Sequence, residues 1–164
     1  MSHPGDLDVI ATALRETEEE IGIHPENVDI VATLPPYVID PNFLVTPVVG
    51  IISSDIKLNV NPQEVDTVFD LPLKRFLSED GRTQKIFSSN GMDFNLYHFY
   101  EAVNGQTVDI WGFASLISIQ SAIVTYQSNL EICFYKDIIV TKTNCFTVVS
   151  TQEIVNKLIS QAKL

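Results

Sequence analysis

The sequence predicts an α/β (α+β) domain in which strands and helices pack in layers. Three observations carry this. An amphipathic helical pattern spans 6–22, β-branched and aromatic runs of strand length recur from 28 to 111, and a second helical pattern follows at 111–127. The chain has 164 residues, 45% of them apolar, which is enough for one domain (1–164) with a core of its own.

In order, the first helix is read at 6–22, with Asp6 as its N-cap and Gly22 as the left-handed residue that ends it. Its apolar stripe is Ile10, Leu14, Thr17 and Ile21, with Ala13 at the margin. Val28–Leu34 reads as a strand stopped by Pro35-Pro36. Phe43–Ile52 is apolar at consecutive positions and reads as a central strand buried on both faces. Ser53–Asn61 is a polar connection, Glu64–Leu71 a strand, and Leu73–Leu77 a short helix. Lys85–Ser88, Phe94–Tyr100 and Val108–Trp111 read as strands, with Asn90-Gly91 as a hairpin turn. Trp111–Gln127 has helical length and spacing, and its indole is read as core packing rather than a base-stacking platform. Ile132–Tyr135, Ile138–Thr141 and Cys145–Val149 are β-prone. Ser150–Ala162 fits a last helix that opens on a near capping box.

The densest chemistry lies in the first helix. Glu16, Glu19 and Glu20 stand at i, i+3 and i+4, within about 100° of one another on a helix. Like charges at that spacing repel, and acids near a helix C-terminus also face the negative end of its dipole. An acidic run is most often just a solvated face. Here the helix is anchored by an apolar stripe, and Arg15, four residues before Glu19, can fix its direction. The pattern points to a hard divalent cation held by carboxylate oxygens. Glu64 is a further acid just before an apolar run, readable as a ligand, a general base or a loop acid. His24 and His98 have no acid partner placed by sequence and are read as non-catalytic.

Arg15-Glu16-Thr17-Glu18-Glu19-Glu20-Ile21-Gly22-Ile23 resembles the second half of the Nudix box, with Thr17 in place of an apolar residue. Further segments are similar to the coenzyme A diphosphatase branch of that family, in particular its peroxisomal animal form. They are Pro4–Asp8 with Ala11–Glu16, Leu44–Gly50, Asn61–Val65 with Val68–Leu73, and Ile110–Ala114. The resemblance implies an α/β/α sandwich around a mixed sheet. It also implies Mg²⁺ or Mn²⁺ on Glu16, Glu19 and Glu20, with Arg15 orienting a glutamate. The expected reaction is metal-assisted hydrolysis of a diphosphate. Glu19 or Glu20 is the first choice of proton acceptor and Glu64 the second. In this branch the substrate is coenzyme A or acyl-CoA, cut to 4′-phosphopantetheine (or its acyl form) and adenosine 3′,5′-bisphosphate. The box's leading glycine would fall at or before Met1, since Gly5 lies too close to Arg15. The branch's upstream signature has no counterpart either, so the expectation is a domain lacking N-terminal strands. Another nucleoside diphosphate derivative is the near alternative. An inactive fragment, or a module that binds coenzyme A or a protein, is the far one.

The net charge of −11 argues against a nucleic-acid backbone or an anionic membrane surface as partner. It tolerates a diphosphate only if a cation bridges the like charges. Cys133 and Cys145 form no metal-ligand pattern and read as two buried thiols in a reducing compartment. The chain closes on Ala162-Lys163-Leu164, close to the Ser-Lys-Leu peroxisomal address. Beside the branch resemblance this implies a peroxisomal location and the peroxisomal import receptor as a partner.

Overall fold

The computed structural model describes residues 5–40, 43–89, 92–135 and 138–143. The chain folds as two compact units, one from the residues up to Tyr37 with Leu44–Phe69, the other from Val38–Phe43 with the chain from Asp70 onward. The α+β class expected from the sequence is what is found.

The first unit opens with helix α1, Val9–Ile21. Asp8, not Asp6, is its N-cap, and its carboxylate accepts from the Ala11 N–H at 2.8 Å. The helix therefore starts three residues later than expected, because an Asp that caps must sit directly before the first helical residue. Gly22 ends it at φ 69°, and its N–H donates to the Glu18 carbonyl at 2.9 Å. A 3-10 turn at Pro25–Asn27 leads into β1, Asp29–Thr33. Strands β2 (Tyr37–Asp40) and β3 (Phe43–Val45), whose residues Val38–Phe43 belong to the second unit, make a two-stranded sheet of their own. Strand β4, Val48–Ile51, pairs antiparallel with β1, from Asp29 opposite Ile51 to Thr33 opposite Val48, with an irregularity between Ile30 and Ala32.

Two expectations fail along this stretch of the chain. Phe43–Ile52 is not one strand buried on both faces. It breaks between β3 and β4, where Pro47 has no N–H for a ladder. Among the described residues β4 pairs with β1 alone, so Ile51 is 60% exposed. Nor is Glu64–Leu71 a strand. The N–H groups of Glu64 and Val65 are taken by the Asn61 carbonyl at 3.2 and 3.0 Å, which curls the chain into a turn instead of leaving donors for a sheet.

The second unit holds most of the core. A 3-10 turn at Leu73–Leu77 buries Phe76 edge-on against Phe99, ring centroids 5.0 Å apart. Strands β5 (Arg82–Ser89) and β6 (Met92–Val103) pair antiparallel from Arg82 opposite Phe99 to Ser89 opposite Met92. The Asn90-Gly91 turn expected between them lies outside the described residues. Strand β7, Gln106–Ile110, returns along β6 through Asn104-Gly105, both at positive φ, as a tight hairpin requires. Helix α2, Gly112–Thr125, buries Leu116, Ile119, Ala122 and Ile123 together with the polar Ser115 and Gln120. Ser115 Oγ is satisfied by the Tyr97 carbonyl at 2.7 Å. Strands β8 (Ile132–Tyr135) and β9 (Ile138–Val140) complete a five-stranded sheet in the order β5-β6-β8-β9, with β7 also on β6. The described Cys133 is half-buried. Cys145, the strand expected at Cys145–Val149, the helix at Ser150–Ala162 and the tail Ala162-Lys163-Leu164 lie outside the described residues.

Trp111 corrects another expectation. It is 55% exposed, not core, because it precedes α2 as the N-cap residue and lies flat on the His98 ring, centroids 5.7 Å apart and planes 5° off parallel. His98 is itself buried, and its Nδ1 contacts the Asp109 carboxylate at 2.9 Å. The sequence placed no acid beside it; the β6–β7 register does.

Candidate active site

Helix α1 carries the candidate residues because its stripe docks on the first unit while its other side faces water. No α1 residue is fully buried, and Glu18, Glu19 and Glu20 are all exposed. The last turn holds these acids with no basic residue to offset them. Compensation comes from Arg15, one turn earlier. Its Nη1 donates to Glu19 at 2.7 Å and its Nη2 to Glu16 at 2.8 Å. The guanidinium also grips Asp6, Nε to Oδ1 at 3.0 Å and Nη2 to Oδ2 at 3.1 Å. One cation thus ties two of the expected ligands to a third carboxylate that precedes the helix. Asp6 first, and Glu16 next, hold the Arg15 guanidinium above its already high range, so it is a cation at any working pH. Thr12 Oγ1 completes the arrangement, 3.0 Å from Asp6 Oδ2.

Asp6 is a residue that sequence reasoning placed but misassigned. Its distance in sequence from Arg15 matches no helical period, so only the entry path of the chain before α1 makes the pair.

The turn that bears Glu64 is tied to the C-terminal end of α1 by the loop before it. The loop after β4 returns to the helix C-terminus, where the Asn59 N–H donates to the Ile21 carbonyl and the Asn61 N–H to the Glu20 carbonyl, both at 2.9 Å. Those carbonyls have no partner within the helix, so the loop satisfies them. Asn61 Oδ1 accepts from Gln63 N–H at 3.1 Å, and the turn so formed presents Glu64, exposed. The backbone of Asn61 is bonded to the very residue that bears one of the three clustered carboxylates, Glu20. Asn59 and Asn61 were not singled out from sequence as positioning residues. Their signal is an Asn-Pro turn set against a helix that ends on Gly22. A Cβ at Gly22 would meet the Asn59 Cβ at 2.6 Å and its carbonyl oxygen at 2.7 Å, so both conformation and space demand glycine.

The structure therefore brings Arg15, Glu16 and Glu19 into direct contact, holds Glu20 beside them on the helix, and anchors the turn of Glu64 to Glu20. The donors are all carboxylate oxygens, the chemistry that Mg²⁺ or Mn²⁺ accepts. Among the described residues no three acid, His or Cys side chains are gathered into a formed metal cluster. Glu16 and Glu19 are turned onto Arg15 instead. His24 is outside this network. Its Nδ1 accepts from the Glu26 N–H at 3.4 Å and caps the 3-10 turn.

No protein-family model matches the chain. Among curated proteins it is similar to mouse peroxisomal coenzyme A diphosphatase NUDT7, 37% identical over 77% of this chain and 54% of that protein. It is similar also to two proteins of Arabidopsis thaliana. The mitochondrial Nudix hydrolase 15 is 38% identical over 74% of the chain and 44% of the relative. The chloroplastic Nudix hydrolase 22 is 40% identical over 74% and 41%. The chain spans about half the length of these relatives. The helix, its Arg15-centred carboxylates and the breadth of this similarity lead to one conclusion: the chain belongs to the Nudix hydrolase family.

Proposed function

We propose that the chain hydrolyses the diphosphate bond of coenzyme A or acyl-CoA. Water adds to one phosphorus as the bridging P–O bond breaks, giving 4′-phosphopantetheine (or its acyl form) and adenosine 3′,5′-bisphosphate. The observation that carries the reading is the Arg15 contact with Glu16 and Glu19 on an anchored helix. The mouse relative's name supplies the coenzyme A. Glu16, Glu19 and Glu20 are the residues that would hold Mg²⁺ or Mn²⁺, which supplies charge neutralisation at the diphosphate and an acidified water. Arg15 keeps Glu16 and Glu19 on one side of α1. Glu19 or Glu20 serves as proton acceptor, with Glu64 as the other carboxylate at this helix end.

The Arabidopsis relatives, named only as Nudix hydrolases, favour the second reading, another nucleoside diphosphate derivative. Ala162-Lys163-Leu164 supports a peroxisomal location through the import receptor. The two plant relatives are instead mitochondrial and chloroplastic.

The test is release of adenosine 3′,5′-bisphosphate from coenzyme A with Mg²⁺ present. Glu19→Gln should lower turnover on the order of a hundredfold or more, since such a cation contributes several kcal/mol. Its melting temperature should stay near that of the parent chain, because the side chain is half exposed. Turnover unchanged in this variant would sink the assignment.

A further inference from the structure

The outer edge of β5 has no partner strand among the described residues. β5 runs for eight residues and is open to solvent: Thr83 to Ser88 are all exposed, with Ile86 at 71% and Phe87 at 52%. Natural edges of this kind are usually blunted by charge, proline or a bulge. β5 has no proline, and its pairing with β6 runs without a register shift. Its central cation, Lys85, is exposed, with Nζ 3.3 Å from the Tyr100 hydroxyl.

We propose that β5 is a self-pairing edge, and that two copies of this chain join antiparallel through it about a twofold axis. The strand's own residues select the register. A twofold axis normal to the sheet keeps every side chain on its face, and directly opposed residues in an antiparallel pair share a face. Only registers in which one residue faces its own copy are therefore possible. Centring on Lys85 sets two ammonium groups opposite each other. Centring on Gln84 or Phe87 slides the strands apart and shortens the ladder. Centring on Ile86 puts Ile86 against Ile86, Lys85 against Phe87 on both sides of the axis, and Gln84 against Ser88. An isoleucine pair and two lysine stems over phenyl rings bury the exposed apolar groups without a like-charge contact. β5 also carries no acid in a chain of net charge −11. The copies repel at long range and not at the seam, so salt should strengthen the dimer.

This inference is independent of the diphosphatase reading. Sedimentation equilibrium of the full chain should show a dimer whose dissociation constant falls as salt is raised. Ile86→Lys opposes two charges on the axis and should weaken it at least about tenfold. Because Ile86 is exposed, the circular dichroism spectrum should not change. In a chain with both native cysteines replaced by serine, Ile86→Cys should form an intermolecular disulfide under mild oxidation, since opposed residues lie within disulfide range. Lys85→Cys and Ser88→Cys should not. A chain that stays monomeric across the accessible concentration range overturns the proposal. So does a dimer indifferent to Ile86→Lys, or one that cross-links best through Lys85→Cys.

Discussion

The two units solve opposite problems with different materials. The second unit is held by packing: Phe99, Ile119, Ile123 and Ile132 are within 2% of complete burial, and even its buried polar groups, such as Ser115, are bonded inside it. The first unit is held around its candidate site by polar contacts. The side chains of α1 stay at least partly accessible, and its ends are tied by an Asp8 cap, an Arg15 fork and two loop N–H groups on helix carbonyls. Hydrophobic packing tolerates little change in volume and offers no charge for a cation to meet. A carboxylate site needs the reverse. On the proposed reading its acids stay near water to meet a cation and a diphosphate, and the frame around them is built from hydrogen bonds.

The sharpest way to break this contrast is in the second unit. Phe99 is fully buried, touches Phe76 edge-on and lies under the Arg75 guanidinium at 5.3 Å. Phe99→Ala should cost about 3–5 kcal/mol of stability, read as a large fall in the denaturation midpoint. The α1 network contains no part of that cavity. Unfolding unaffected by Phe99→Ala would mean that the core does not carry the second unit's stability.

An intermediate effect belongs to Gly22. Gly22→Ala combines a left-handed backbone with a clash against Asn59. Relief requires the 59–61 loop to withdraw from the helix end, which frees the Ile21 and Glu20 carbonyls. The expected cost is about 1–3 kcal/mol. Turnover should fall as well, because the same loop carries the Glu64 turn. Hydrogen exchange at the Asn59 and Asn61 amides reads the withdrawal directly, and unchanged protection there would refute it.

How much of this was legible in the sequence follows the range of each interaction. The helix, its terminal glycine and the Glu16–Glu19–Glu20 cluster are local, and periodicity exposes them. The site's frame is not local. Asp6 reads as a cap because Asp before a helix usually is one, yet Asp8 takes that place and Asp6 goes to Arg15. Asn61 reads as the end of a loop, although it bridges the loop to Glu20. Apolar content also misled where a partner strand was needed. Phe43–Ile52 looks buried on both faces, but burial depends on neighbours the segment cannot specify, and Pro47 splits it. Trp111 reads as core by residue type, while its place before α2 leaves it exposed on His98.

The smallest effect is the one that best sharpens the comparison. Asp6 is nearly buried, with side-chain exposure of 9%, and forms two bonds to Arg15 and one to Thr12. If the first unit's frame exists to aim carboxylates, Asp6 acts through Arg15 as a positioning residue. Asp6→Asn keeps the shape and removes the charge that shares Arg15 with Glu16 and Glu19. Arg15 then leans more fully on those two glutamates and competes with the cation for them. The Mg²⁺ concentration for half-maximal turnover should rise about tenfold, the scale of a lost ligand-orienting contact. Turnover at saturating Mg²⁺ should recover most of its value. Thr12→Val, which removes the hydroxyl contact and leaves the charge on Asp6, should shift the Mg²⁺ requirement far less. A purely structural role predicts otherwise: Asp6→Asn and Thr12→Val would lower the melting temperature alike and leave the Mg²⁺ requirement where it was.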